Sequence, residues 1–401
     1  MKIISIGNTP LTNLQYGGTI GIILHLTALS RFADVTYINC SRFPEVNPKS
    51  LPFEVLNVPI SSKGYLVQKG ISGILRPFTI IPSVPIVNEI NMFLSPNTRK
   101  KVKTIVADYA KRVGEIAILF ESPMGNTLVD SLHDYPKVLR AHNFEAEYFR
   151  SHTKPTYYFN KLFYNYFEGQ FAKKCNLIFS ISKEDMIGMS EYYKIEKNKF
   201  IYVPASIDTK KIKPFTEEEK QIAKAELDLV GKKVAVFIGG GSVRDRVLAV
   251  PTITRLAEKF ENLYFLIAGK ISKLFTPRKN LRLMGYIDEE TKKLCLAAAD
   301  FALNPTAFGT GMNIKMLEYL AYGLPVITTP EGTRGFSLIH GSNAFVCHVE
   351  SFEEVIETII HERIDCVKIG KSGRTLVEKE YDAAIVGKRA VDAILRLLKR
   401  D

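Results

Sequence analysis

A chain of 401 residues, 46% hydrophobic and 24% charged, exceeds one ordinary core and implies two domains. Its net charge is +12, and residues 1–205 hold 24 Lys and Arg against 16 Asp and Glu, so an excess of 8 sits in the first half. The five cysteines (Cys40, Cys175, Cys295, Cys347, Cys366) are odd in number, far apart and never in a CxxC pair. That excludes a disulfide framework or a zinc knuckle and points to a reducing compartment. No apolar run approaches the roughly 20 residues of a membrane span. The opening MKIISIGNTP reads as a first strand rather than a signal peptide. A basic surface favours anionic partners. Without an RNP aromatic signature, zinc-finger spacing or a basic zipper, nucleic acid is not expected to be among them.

In chain order, the first half reads as strands at KIISIGN (2–8), DVTYINC (34–40), FEVLNVPI (53–60), EIAILFE (115–121), KVLRAHN (137–143), NLIFSIS (176–182) and FIYVPA (200–205). Helical patterns lie at 18–32, 98–113 and 157–174. In the second half, strands at 233–240, 263–269, 281–286, 301–305, 325–329 and 344–348 alternate with helices near 247–260, 288–299, 312–322 and 351–361. Ser351 with Glu354 three residues on predicts a capping box for the last of these. A long helical stretch, 383–400, closes the chain. Strands alternating with helices predict α/β domains with parallel sheets. The polar, basic stretch VPASIDTKKIKPF (203–215) sets the boundary, giving domains 1–205 and 206–382. Segment 61–97 stands apart. Its prolines at 77, 82 and 85 forbid a regular helix, and its apolar residues suit either packing on its own domain or contact with a lipid or acceptor.

Residues 309–329, GTGMNIKMLEYLAYGLPVITT, carry the most chemistry. On a helix from Met312 to Tyr322, Lys315, Glu318 and Tyr322 share one narrow polar stripe. A strand precedes the helix and a strand follows it, so its N-terminus lies at the carboxyl edge of a parallel sheet, where ligands bind. First-turn amides have no intrahelical partner and carry partial positive charge. Gly309 and Gly311 let a phosphate approach them, Lys315 supplies a full charge, and Glu318 suits vicinal hydroxyls such as a ribose. The plain alternative is a surface ion pair between Lys315 and Glu318, worth a few tenths of a kcal/mol.

The run from 280 to 336, with its core GTGMNIKMLEY, resembles the donor-binding region of GT-B glycosyltransferases of the GT4-like kind, closest to a G-[ST]-G-x-x-x-K-x-x-E-Y branch. QYGGTIGIILHLTALSRF (15–32) is similar to that family's glycine loop and first helix. RAHNFEAEYFR (140–150) resembles its R-x-H-N-x-E-x-x-Y segment, and YVPASID (202–208) its interdomain stretch. The resemblance implies two Rossmann-like domains facing across a cleft, with 383–401 returning to the first. It implies an acceptor-side first domain and a nucleotide-sugar-binding second one.

Roles follow residue by residue. Glu318 corresponds to the second acid of the family's E-x7-E motif, which implies that it binds the nucleotide ribose. Gly309, Thr310, Gly311, Met312 and Asn313 form the turn that meets sugar and diphosphate. Thr310 stands where the first acid is expected, which leaves donor identity open. GGGSVRDR (239–246) occupies the phosphate-loop position, with Arg244 and Arg246 as diphosphate clamps or plain surface arginines. Lys270 is a further donor-side cation, and Gly17 and Gly18 form the glycine loop. His142 is expected to touch the donor sugar, with Glu145 on the acceptor side. Arg334 is placed near the same region without an assigned task.

The resemblance implies a retaining enzyme. It moves a sugar from a nucleotide-diphosphate sugar to a hydroxyl of a glycan or lipid-linked acceptor. Attack is on the front face, and the departing phosphate takes the proton. No D-x-D occurs in the sequence. No cofactor or metal is therefore expected; helix amides and basic side chains meet the diphosphate instead. The expected location is cytoplasmic, with peripheral visits to an anionic membrane surface. Two other readings stay open: a nucleotide-sugar 2-epimerase of the same fold, and a non-catalytic nucleotide-sugar-binding subunit.

Overall fold

The computed structural model describes residues 1–12, 17–41, 51–58, 96–123, 126–150, 166–241 and 245–399. Arg244 and nearly all of segment 61–97, including Pro77, Pro82 and Pro85, lie outside the described residues. The chain divides into two compact units. One comprises Met1–Ala205, Thr310–Met312 and Ala383–Asp401; the other comprises Ser206–Gly309 and Asn313–Asp382.

The first unit is built in chain order from β1 (Lys2–Gly7), α1 (Gly17–Leu29), β2 (Asp34–Asn39), β3 (Glu54–Asn57), α2 (Pro96–Val113), β4 (Ile116–Phe120) and α3 (Asn126–Ser131). There follow β5 (Lys137–Ala141), α4 (Glu145–Arg150), the helical residues 166–174 as α5, β6 (Leu177–Ser180), α6 (Lys183–Tyr193) and β7 (Phe200–Tyr202). Its strands pair in parallel in the order β3-β2-β1-β4-β5-β6-β7. Strands covered on both faces need apolar residues at every position, not alternation. β4 (IAILF) meets this throughout, and β1 (KIISIG) is buried at each residue with its two polar side chains paired, Lys2 to Asp34 and Ser5 to Glu121. The order reverses between β1 and β4, which is the switch point of the sheet.

The second unit contains α7 (Glu217–Glu226), β8 (Lys233–Ile238), α8 (Val250–Lys259), β9 (Leu263–Ala268), β10 (Leu281–Gly285), α9 (Glu289–Ala298), β11 (Phe301–Asn304) and α10 (Ile314–Ala321). It continues with β12 (Val326–Thr328), β13 (Phe345–Val346), α11 (Phe352–Ile360) and α12 (Cys366–Leu376), and α13 (Ala383–Leu398) then belongs to the first unit. The sheet is again parallel, in the order β10-β9-β8-β11-β12-β13, with its switch between β8 and β11. Both halves are therefore Rossmann-like, and the fold is that of the GT-B class.

The predicted capping box at Ser351 does not form. Val349–Ser351 already winds as a 3-10 turn, so Ser351 has helical angles (φ −89°, ψ −1°) and makes no side-chain cap bond. An N-cap needs extended backbone to swing its hydroxyl over the first amides. Thr216, at φ −70° and ψ 161°, has it, and with Glu219 makes a full capping box for α7.

α1 is apolar over most of its surface and is packed between the sheet and the last helix. Ile22, Leu26 and Leu29 share one core with Ile3 and Val35 of the sheet and with Val386, Ala390 and Ile394 of α13. Gly387 lets the two helices meet at backbone distance: a Cβ there would stand 2.2 Å from the Ala28 carbonyl oxygen. Gly387→Ala is expected to push α13 outward and cost about 1–3 kcal/mol, read as a lower urea midpoint. An unchanged midpoint would show that the contact gives way freely.

Candidate active site

In the second unit, Asn313 and the α10 residues of the GTGMNIKMLEY stretch gather at the β8/β11 switch. β11 ends in the buried Asn304, whose Oδ1 accepts from Asn313 Nδ2 (2.9 Å) and from Thr306 Oγ1 (3.2 Å). Its Nδ2 donates to Thr328 Oγ1 at 3.0 Å. Asn313 is the N-cap residue of α10, but Asn304 draws its side chain away and it makes no cap bond. The first amides of α10 are thus left without a side-chain cap. The buried Tyr319 ties the helix to the sheet, its hydroxyl accepting from the Ile238 amide at the end of β8 (2.9 Å).

Lys315 and Glu318 do not pair with each other. Lys315 Nζ lies 3.3 Å from Asp245 Oδ1 and 4.2 Å from the centre of the Phe237 ring. Glu318 Oε1 accepts from Lys292 Nζ of α9 at 2.8 Å, and Lys292 also reaches Glu289 at 2.8 Å. The polar stripe therefore carries two separate ion pairs, each with a partner from another element. Burial lifts the Glu318 carboxyl above its ordinary range, while the Lys292 ammonium pulls it back.

The loop residues vary in what they do. Gly309 and Gly311 have positive φ (143° and 75°), which side chains resist. A Cβ at Gly311 would stand 2.4 Å from the His142 carbonyl oxygen, so only glycine fits there. The Gly311 amide donates to Oδ2 of the buried Asp185 (2.7 Å). That amide, expected to face a phosphate, is occupied by a carboxylate. Thr310 is buried, and its Oγ1 has no hydrogen-bond partner among the described residues; Met312 is buried too. In the helical turn Asp245–Ala249 that follows β8, Arg246 is exposed and its Nε donates to the Gly241 carbonyl (3.0 Å). Lys270 is exposed at the head of the turn Lys270–Leu274, directly after Gly269 (φ 89°).

In the first unit, the chemistry converges on Glu121, just past β4 at the switch point. Its Oε1 accepts from Ser5 Oγ (2.9 Å), and its Oε2 from Arg140 Nη1 (3.1 Å) and His142 Nε2 (3.2 Å). Arg140 and Glu121 are each 1% exposed at the side chain, while His142 keeps 18%. Burial works to raise the Glu121 carboxyl, but Arg140 and the histidines overcome it and bring it down to about 2. Burial and then Arg140 lower His142, so its imidazole is neutral near pH 7. An ionised carboxylate only accepts, which puts the His142 proton on Nε2. His25 of α1 lies beside this group, fully buried and neutral, with neither ring nitrogen hydrogen-bonded among the described residues.

Glu145 opens α4 and takes a bond from Asn143 Nδ2 (3.2 Å). The buried Glu168 of α5 accepts from the Glu145 and Ala146 amides and from the Tyr193 hydroxyl. Burial, with Asp185 beside it, pushes the Glu145 carboxyl up to about 7; burial and then Glu145 push Glu168 up to about 8. Gly17 and Gly18 are exposed at the start of α1, and a Cβ on either meets nothing within 4 Å. Packing gives no reason for glycine at either place.

The sequence reading singled out His142, Glu145 and Glu318, quoted Arg140 in its motif without a role, and missed Glu121, Asp185 and Lys292. Of these, Glu121 left the clearest signal, an acid closing the apolar run IAILFE. Among the described residues, no group of three or more His, Cys, Asp or Glu is placed to hold a metal ion.

The family model of the glycosyl transferases group 1 matches residues 209–362. A GDP-mannose-dependent monoacylated alpha-(1-6)-phosphatidylinositol monomannoside mannosyltransferase from Corynebacterium glutamicum is 23% identical over 213 residues. That match covers 49% of this chain and 56% of the relative, so the chain spans little over half of that protein's length. Among solved structures, a sucrose-phosphate synthase from Thermosynechococcus elongatus superposes with a TM-score of 0.76 at 15% identity, over 100% of both chains. Anabaena HepE in complex with UDP gives 0.70 at 12% identity, over 99% of this chain and 100% of that one. Fold and family match agree: residues 209–362 match the glycosyl transferases of group 1, on a chain of GT-B fold.

Proposed function

We propose that the chain is a retaining glycosyltransferase that moves a sugar from a nucleotide-diphosphate sugar to a hydroxyl of a glycan or lipid-linked acceptor. The observation that carries this is α10: an N-terminus without a side-chain cap at the β8/β11 switch, with Lys315 and Glu318 on one face. In this reading Glu318 holds the ribose hydroxyls. The diphosphate meets the Met312–Asn313 end of the helix, with Lys315, Arg246, Lys270 and Arg244 as its cations, and these fixed charges do the work that a metal does elsewhere. An anion reaching the Gly311 amide has to displace Asp185, and one reaching Lys315 competes with Asp245.

In the first unit, His142 meets the donor sugar, neutral and without adding positive charge near an oxocarbenium-like centre. Gly17 and Gly18 leave room for the donor, and Glu145 serves the acceptor side. The departing phosphate takes the acceptor's proton. The relatives support a nucleotide-sugar donor: one is named for GDP-mannose, and HepE is described with UDP.

The same reading places the enzyme in the cytoplasm with peripheral contact to an anionic membrane. No described helix is long and apolar enough to cross a bilayer. α2 is amphipathic, with Val102 and Val106 buried and Lys100, Lys101, Lys103, Lys111 and Arg112 exposed. Such a face is drawn to anionic headgroups.

The test is a thermal-shift panel of UDP-, GDP-, ADP- and dTDP-sugars, since a ligand of the native state raises its melting point. One class is expected to stabilise the wild type. Glu318→Ala is expected to weaken that donor about 10- to 100-fold, as loss of a hydrogen bond to a charged group would. Equal binding by wild type and Glu318→Ala would sink the assignment of the ribose site.

A further inference from the structure

We propose that Lys292 is the positioning residue of the nucleotide site: its ammonium grips one oxygen of Glu318 and leaves the other to accept the vicinal hydroxyls of the ribose. This rests on the reading of Glu318 given above and goes beyond it to a residue on a different helix. Lys292 Nζ lies 2.8 Å from Glu318 Oε1, and the two side chains are only 15% and 19% exposed. The second contact of Lys292, to Glu289 one turn back on α9, is with a side chain 73% exposed. The ammonium is thus anchored at the solvent side by Glu289 and directed inward at Glu318. A carboxylate with one oxygen fixed in this way has its plane and rotamer set before any ligand arrives, which removes an ordering cost from binding.

The pair also controls charge. The titratable groups acting on Glu318 are Lys292 and Glu289 from α9 and Tyr319 and Tyr322 from its own helix. Of these, Lys292 alone is a cation. Lys315, one turn earlier on α10, is directed at Asp245 and the Phe237 ring instead. Burial by itself lifts Glu318 and Glu289 adds to the rise, while the Lys292 ammonium at 2.8 Å is the contact that favours the ionised form. A neutral Glu318 would meet the ribose as a weaker acceptor, because hydrogen bonds to an ionised group are the stronger ones.

The experiment is calorimetry on the full chain with UDP-glucose and GDP-mannose across pH, whose phosphodiester groups do not titrate near neutrality. Lys292→Met is expected to lower affinity at neutral pH about 10-fold. The acid limb of affinity should move up by about one pH unit, so that raising the pH restores binding. Lys292→Arg keeps the charge and should stay within about threefold of the wild type. Affinity that falls equally at every pH in Lys292→Met, or does not fall, overturns the proposal. If Glu318→Ala loses binding while Lys292→Met keeps both affinity and limb, the inference alone fails. If Glu318→Ala binds like the wild type, or if the wild type binds neither nucleotide sugar, the underlying reading fails as well.

Discussion

Arg140→Met is expected to destabilise the first unit by about 3–5 kcal/mol, the usual penalty for leaving one partner of a buried ion pair alone. Arg140 and Glu121 are each 1% exposed, and their contact at 3.1 Å lies inside the sheet between β4 and β5. Methionine fills much of the same volume, so the loss is electrostatic rather than steric. Ser5 and His142 remain as donors to Glu121, but neither carries a fixed charge. The double variant Arg140→Met with Glu121→Leu should recover most of the loss, because two apolar residues need no compensation.

The sign of the pH dependence separates these cases. In the wild type, Glu121 is held at about 2, below its usual 4.5, so its contribution is present above pH 4.5 and drains away as pH falls towards 2. In Arg140→Met burial dominates and the folded-state value rises above 4.5. The variant should then regain stability as the pH is lowered towards 4.5. Urea midpoints at several pH values read all three proteins. A single variant no less stable than the double one would show that the pair contributes nothing.

The fold was legible where local pattern and tertiary need agree. β1, β4 and β8 are mostly apolar runs rich in β-branched residues and followed by polar residues or glycine, as strands covered on both faces are. α1 could be read as a helix from the pattern at 18–32, since Gly17–Leu29 is apolar apart from His25 and the threonines. α12 was not singled out, and the cause is visible. Gly370 and Gly373 lower its helical propensity, yet both are forced by packing. A Cβ at Gly370 would stand 2.1 Å from the Gly323 carbonyl oxygen, and one at Gly373 would stand 2.8 Å from Leu320 Cδ2. The helix exists because the second unit holds it close, which no window of its own sequence records.

The candidate site divides in the same way. Residues that act through their own local backbone, such as Gly311 and the uncapped start of α10, leave a motif. Residues that act by meeting something distant do not. Lys292 is 26 positions from Glu318, Asp245 is 70 from Lys315, and Asp185 is 126 from Gly311. Each is an ordinary charged residue in its own neighbourhood and gains meaning only when the sheet order brings it to the loop.

The second large effect is expected at Arg374, 8% exposed on α12. Its Nη1 donates to the carbonyls of Ile212 and Ala321, each at 2.6 Å, and its Nη2 to that of Thr209 at 2.7 Å. Its Nε pairs with Glu378 at 2.7 Å. Ala321 is the last residue of α10, so its carbonyl has no intrahelical donor, and the guanidinium caps it with a charge that also suits the negative end of the helix. Thr209 and Ile212 lie in the irregular stretch before α7, where backbone acceptors have no ladder to satisfy them. One planar group thus joins three segments of the second unit, a task its fork geometry permits and an ammonium cannot copy.

Arg374→Met should cost about 3–5 kcal/mol, less than the sum of three charge-assisted bonds because some carbonyls will find water. Arg374→Lys should recover less than half. Because the chain has two units, the loss is best localised by amide exchange: protection over 314–321 should fall while that over β1 and β4 holds. Under the proposed function donor binding should weaken with it, since Lys315 and Glu318 stand on the helix whose far end has come loose. Equal exchange in wild type and Arg374→Met over 314–321 would mean that α10 is held by its apolar face alone.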